Sequence, residues 1–420
     1  MNQNKNIFIA ASLANGASIS MILPLLAPLI RELHMQEWQG GALISVGALL
    51  MVISAVVISK QHDRLNIYQL LSIGFLGMTI TWALFAGLLS YGMSAHISLI
   101  ILFSLLLLVR ALSGIFMAMP QIALQTYVMT SFADEKQRSQ TMSKFGALNS
   151  LGLIFGPFLT TVLLVWGMLA PLWVSLVIFI VITIVIFWKF DQENHSNVMT
   201  SSIGSENISE SFNDDSFNSS TAQSTQIDFS FSKSFIWFAL GLVLYIAVVT
   251  VNLTSGFYIQ DQFHVTPHQS AVYFSQCSLI VGVSLVLMQT AISKWLHWSL
   301  QRLLWVGLVM MLMGITTTLF AQQIWIFQSA YVLYGISVAC LLPAFTTGAA
   351  QSAPQHLQAK IASLCTATQA LSFVIGPVLS TLLYHWYKTL PYMLIMVLML
   401  ILSLCFVLNK KVFSSSALKL

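Results

Sequence analysis

Arg110 is the residue whose type and position most demand a chemical reason. It stands in LLVRALSGIFMAMP (Leu107 to Pro120), about thirteen residues into an apolar run near residues 97–130. At about 1.5 Å of rise per helical residue, that depth is close to the middle of a bilayer. An ionised side chain there is costly unless a cavity or a partner receives it, so it marks a functional site by default. The alternative is an arginine bonded to helix carbonyls for packing alone. Uncharged amides on other apolar runs complete the candidate substrate-binding set: Asn15, Gln121, Gln125, Asn149, Asn252, Gln276 and Gln369. Each also suits a hydrogen-bonded link between helices.

The absences narrow the chemistry further. All thirteen acidic residues fall in loops, in a polar linker or at helix ends, with Glu32, Glu37 and Asp261 on one rim and Asp63, Asp134 and Glu135 on the other. No carboxylate is placed to neutralise a lipophilic cation, so a cavity furnished with one arginine and amides favours neutral or anionic molecules. There is no Gly-x-x-x-x-Gly-Lys phosphate loop, which argues against direct use of ATP. Asp261, His264 and His268 lie close in sequence, but Pro267 breaks any helical spacing between them, and no metal site is expected. Cys277, Cys340, Cys365 and Cys405 lie in apolar runs, where packing explains them better than disulfides. No cofactor is expected, and a membrane enzyme lacks the clustered carboxylates, histidines or serines it would need.

These residues must be positioned by elements that live in lipid. The chain is 57% hydrophobic and 7% charged over 420 residues, whereas soluble domains carry about a quarter charged residues. Twelve apolar runs are long enough to approach the roughly 20 helical residues that cross a hydrocarbon core. They lie near 7–30, 40–59, 68–91, 97–130, 141–166, 168–190, 234–260, 270–292, 300–321, 324–350, 361–384 and 390–409. The first is too long for the apolar part of a signal peptide. With the amino terminus inside, fourteen Lys and Arg residues fall on the cytoplasmic side and only Arg31 and Lys388 outside. That asymmetry predicts cytoplasmic termini and an inner-membrane location. The net charge of +4 is spread over short loops facing lipid headgroups, and carries no argument for nucleic acid.

Between the sixth and seventh runs the composition changes. Asp191 to Ser232 holds twelve Ser, five Asn and seven acidic residues with no Lys or Arg, a segment that cannot bury a core. The expected organisation is a six-helix bundle over 1–190, a disordered cytoplasmic linker over 191–233, a second bundle over 234–409 and a tail over 410–420. The two bundles are copies. NSLGLIFGPFLTTVL (Asn149 to Leu163) returns as QALSFVIGPVLSTLL (Gln369 to Leu383), with six identities in fifteen that include Gly156-Pro157 and Gly376-Pro377. A weaker echo relates IRELHMQEWQGG (Ile30 to Gly41) to IQDQFHVTPHQSA (Ile259 to Ala271), with Glu32 answering Asp261 and Gln39 answering Gln269. Parallel repeats of this kind are built to rock about a central site.

At this point the chain resembles the major facilitator superfamily, in particular its twelve-helix drug:proton antiporter branch. SKQHDRLNIYQL (Ser59 to Leu70) is similar to the family's Gly-x-Leu-x-Asp-Arg-x-Gly-Arg-Lys loop through Asp63 and Arg64, although Ser59, Gln61, Asn66, Ile67 and Tyr68 depart from it. Arg110 and Gly114 resemble its buried Arg-x-x-x-Gly motif. Gly152, Gly156 and Pro157 resemble its antiporter motif, with Thr160 and Thr161 where two further glycines are usual. The resemblance implies conformational roles for Asp63, Arg64, Gly114, Gly152, Gly156 and Pro157, and the repeat extends the hinge to Gly376 and Pro377.

The sequence therefore predicts an all-α polytopic membrane protein of twelve helices in two pseudo-symmetric bundles. Its expected activity is proton-coupled export of a small neutral or anionic organic compound by alternating access, by a monomer in contact with membrane lipids. Uptake of a small organic anion is the alternative within transport, and a polytopic enzyme the rival outside it.

Overall fold

The computed structural model describes residues 2–60, 66–94, 98–131, 152, 155–189, 231–296, 298–352 and 358–408. Among them lie twelve helices and no strand: α1 (Asn2–Glu32), α2 (Glu37–Lys60), α3 (Ile67–Ser94), α4 (Leu99–Ser131), α5 (described over Phe155–Trp166), α6 (Ala170–Lys189), α7 (Phe231–Phe263), α8 (Pro267–Ala291), α9 (Leu300–Phe320), α10 (Ile324–Gln351), α11 (Gln358–Trp386) and α12 (Leu390–Leu408). Eleven of them are long and apolar enough to cross a membrane. Where they are described, the helices match the predicted spans to within a few residues, and of the fifth span most of 141–154 lies outside the described residues. The linker over 191–230, the tail over 409–420, Asp63, Arg64 and Asn149 lie outside the described residues, as does the side chain of Gln125.

The repeat is visible in how the helices stop and start. His34 and His264 both adopt left-handed backbone, with φ of 53° and 52°. Each ends its helix by reversing the chain, the conformation that closes many helix C-termini. The next helix is capped alike in both halves: Gln39 accepts from the Gln36 N–H at 2.8 Å, and Gln269 from the Thr266 N–H at 3.1 Å. The Thr266 hydroxyl oxygen in turn accepts from the Gln269 N–H and completes a capping box. This shared geometry corrects one register. Counting back from the left-handed histidine, the residue equivalent to Asp261 is Arg31, not Glu32.

Within the first half, α4 packs against α2 and α3, and α6 against α1 and α3; within the second, α10 packs against α8 and α9, and α11 against α7. The halves meet through α2 with α11 and through α1 with α7 and α8. Gly41 on α2 makes one such approach possible, since a methyl group there would lie 2.5 Å from the Pro377 carbonyl oxygen on α11.

Candidate functional site

Proline at 377 leaves the carbonyl four residues earlier without its helical donor. Hydroxyls one turn later engage the proline carbonyls in both halves: Thr161 donates to Pro157 at 2.9 Å and Thr381 to Pro377 at 2.7 Å. The two Gly-Pro copies nevertheless sit in unequal surroundings. A methyl group on Gly156 would lie 2.6 Å from the Ala17 carbonyl oxygen of α1, and on Gly152 2.4 Å from that of Leu13. Backbone cannot yield there. On Gly376 the nearest atom would be a Val249 side-chain carbon on α7 at 3.1 Å.

Thr160 and Ser372 show what replaces further glycine along these seams. Fully buried, Thr160 donates to the Met21 carbonyl of α1 at 3.1 Å, and Ser372 to the Leu242 carbonyl of α7 at 3.3 Å. Each hydroxyl turns close approach into an interhelical bond.

Arg110 lies among α2, α3 and α4. A methyl group on Gly47 would lie 3.9 Å from both its Nε and its Nη2, and the guanidinium carbon stands 5.7 Å above the Phe85 ring. Gly114, one turn along, meets the Gly47 carbonyl so closely that an added methyl would fall 2.1 Å from it. Among the described residues no carboxylate or hydrogen-bond acceptor meets the guanidinium. The face of Phe85 supplies weak cation–π compensation.

The amides part company. Gln276 accepts from Gln328 at 2.8 Å and joins α8 to α10, while Asn252 donates to the Val248 carbonyl of its own helix at 2.7 Å. Asn15 is half-buried, and Gln121 and Gln369 are exposed. Among the described residues no hydrogen bond links Arg110 to any of them.

Sequence reasoning missed the polar cluster that joins the halves at the end opposite the termini. Arg31 donates to Asp261 through both Nη atoms, with Nη2 to Oδ2 at 2.8 Å, and to Glu37 Oε1 at 2.9 Å. Tyr384 donates to Asp261 at 2.6 Å, and His385 Nδ1 stands 3.0 Å from Glu37 Oε2. Phe257 lies under the guanidinium at 5.4 Å, and Lys388 reaches Gln262 at 3.0 Å. Below this rim, Thr161 meets Ser275 at 2.7 Å and His268 meets the Leu164 carbonyl at 2.9 Å. The clue was available, because Arg31 and Lys388 are the two basic residues that break the charge asymmetry. Glu32, aligned with Asp261 in the repeat, is exposed and takes no part in the cluster described.

A model of the major facilitator superfamily matches residues 8–371. The chain belongs to that superfamily. It is a multi-pass membrane protein with the superfamily's fold. Among curated proteins it is similar to the class B tetracycline resistance protein of Escherichia coli, 27% identical over 215 residues. That match spans 50% of each chain, so the chain matches only half the length of this relative. Among solved structures it is similar to the nucleoside transporter NupG, with a TM-score of 0.70 at 12% identity over 100% of both chains. The human organic anion transporter MFSD10 gives 0.60 at 14% identity, over 96% of this chain and 98% of the other. A POT family transporter in complex with 5-aminolevulinic acid gives 0.68 at 14% identity, over 97% and 96%. At these identities the likeness carries fold alone.

Proposed function

We propose that this transporter exports a small neutral or anionic organic compound in exchange for protons. The observation that carries the substrate class is the pairing of one charge with one absence. Arg110 has no ionic partner among the described residues, and the carboxylates described, Glu32, Glu37 and Asp261, all stand on one rim. A cation entering such a cavity would meet repulsion with no compensating charge, whereas an acceptor-rich or anionic group would be welcomed. Export rather than uptake is supported by the resemblance to drug:proton antiporters and by the tetracycline resistance relative.

The Lys and Arg asymmetry supports cytoplasmic termini in an inner membrane. On that topology the Arg31 cluster seals the outer end, and the state described loads cargo from the cytoplasm. Asp63 and Arg64 then act at the cytoplasmic end, and Gly114, Gly152, Gly156, Pro157, Gly376 and Pro377 govern helix movement. Asn15, Gln121, Gln125, Asn149 and Gln369 line the path, and the protein works as a monomer. Transport in inverted vesicles under an imposed pH gradient tests the reading with cationic, neutral and anionic compounds. Proton-driven accumulation of neutral or anionic compounds is expected. Accumulation of lipophilic cations alone would overturn it.

A further inference from the structure

In the second half, α7, α10 and α11 enclose a cleft of about 300 Å³, lined by Tyr245, Phe345, Thr346, Cys365, Thr366 and Gln369 among others. Its size is at the lower bound of small-molecule sites, about 300–1,000 Å³. The aromatic corner is built by reciprocal packing. Phe345 of α10 lies over Gly241 of α7, where a methyl group would fall 2.4 Å from the ring, and Trp237 of α7 lies as closely over Gly348 of α10. Phe345 is thereby pinned edge-to-face against Tyr245, with centroids 6.3 Å apart and planes at 89°. Phe373 approaches Tyr245 from α11 at the same 6.3 Å.

Among the described residues the lining carries no formal charge. Its threonines are already committed, Thr346 to the Leu342 carbonyl at 3.1 Å and Thr366 to the Ala362 carbonyl at 3.2 Å. The Tyr245 hydroxyl and the Gln369 amide remain, and among the described residues neither has a hydrogen-bond partner. An aromatic corner with one free hydroxyl and one free amide, and no charge, fits a specific chemistry. Flat rings stack or pack edge-on against Tyr245 and Phe345, and the two polar groups fix a hydroxyl, carbonyl or amide on the ring's rim. We infer that this cleft is a ligand subsite for an uncharged aromatic moiety bearing hydrogen-bonding groups, oriented by Tyr245 and Gln369. The inference rests on the transport reading above and names the part of the cargo that the second half receives.

Cys365 makes the cleft its own reporter. Cys277 and Cys340 are buried, so replacing Cys405 by Ser leaves Cys365 as the accessible thiol among the four cysteines. Purified Cys405→Ser protein is treated with a maleimide alone or with chloramphenicol, 2-naphthol or tetraphenylphosphonium, and the alkylation rate of Cys365 is read by mass spectrometry. At least one of the two neutral compounds is expected to slow alkylation about fivefold when present at roughly four times its Kd. Tetraphenylphosphonium is expected to leave the rate unchanged. Gln369→Ala and Tyr245→Phe each raise the concentration needed for that protection by about three- to tenfold, the effect of one lost hydrogen bond. Gln289→Ala, on α8, leaves it intact. Absence of protection by both neutral compounds overturns the site, and equal protection by the cation overturns the ligand class. Protection lost with Gln289→Ala as readily as with Gln369→Ala overturns the orienting role. Export in vesicles is scored separately: protection without export supports the cleft and counts against export, and export without protection does the reverse.

Discussion

Arg31 and Asp261 occupy the same place in the two repeats, each three residues before a left-handed histidine, and they pair with each other across the interface. Symmetry-related positions meet where the axis of the pseudo-twofold passes. A residue pairing with its own counterpart there must be complementary to it, and the duplicated helix ends have diverged to opposite charge. The pair can survive only while the halves touch at this end, since α1 and α7 belong to different bundles.

Breaking that pair should bias the molecule toward opening. Asp261→Asn removes the charge but leaves Arg31 its bond to Glu37, and a part-exposed ion pair is worth up to about 1 kcal/mol, roughly a fivefold shift in population. Thr381 is 1% exposed under Gly41, so a cysteine placed there reports separation. Its modification by a membrane-impermeant thiol reagent, with the four native cysteines removed, should accelerate about fivefold in Asp261→Asn. An unchanged rate would show that the apolar seam alone keeps this end shut.

The two Gly-Pro copies should respond unequally to the same substitution. Gly156→Ala drives a methyl group against α1 backbone, whereas Gly376→Ala meets only the side chain of Val249. Overpacking of a tight seam costs about 1–3 kcal/mol. Gly156→Ala should lose most transport, and Gly156→Leu all of it, with membrane insertion retained. Gly376→Ala should keep at least half of wild-type rate. Equal loss at both positions would contradict this asymmetry.

Arg110 should not tolerate loss of its planar fork. Arg110→Lys keeps the charge but not the geometry that lies over Phe85, and should be substantially impaired, with Arg110→Ala worse. Robust transport of a lipophilic cation by Arg110→Ala would remove both the site and the substrate-charge argument.

A stability prediction isolates the second half. The Tyr392 hydroxyl is buried between Thr254 at 3.0 Å and Ser255 at 3.2 Å, joining α12 to α7. Thr254 keeps its bond to the Thr250 carbonyl at 2.8 Å, but Tyr392→Phe takes the phenol from Ser255 and should cost about 1–3 kcal/mol, seen as a lower melting temperature in detergent with substrate affinity unchanged. No shift in melting temperature would mean that water or local carbonyls satisfy the Ser255 hydroxyl.

The sequence by itself determined the solvent, the number of crossings and the duplication. Runs of about 20 apolar residues have few alternatives in lipid, where backbone groups must be satisfied within each helix. It also placed Arg110 and the Gly-Pro interruptions correctly on their helices, because those are local properties. What each of them touches was beyond it. Gly156 and Gly376 read as equals in the chain, yet Ala17 on one partner helix and Val249 on the other give them different freedom. Gln276 read equally as a cavity amide or as a link between helices, and only the packing shows that it joins α8 to α10 through Gln328. The Glu32 to Asp261 register looked natural in one dimension, and only the left-handed turns at His34 and His264 revealed Arg31 as the counterpart. The seal and the aromatic cleft bring together residues more than a hundred positions apart. Such contacts depend on helix rotation and crossing, which are decided when side chains of different helices pack against one another, and periodicity along a single helix does not encode them.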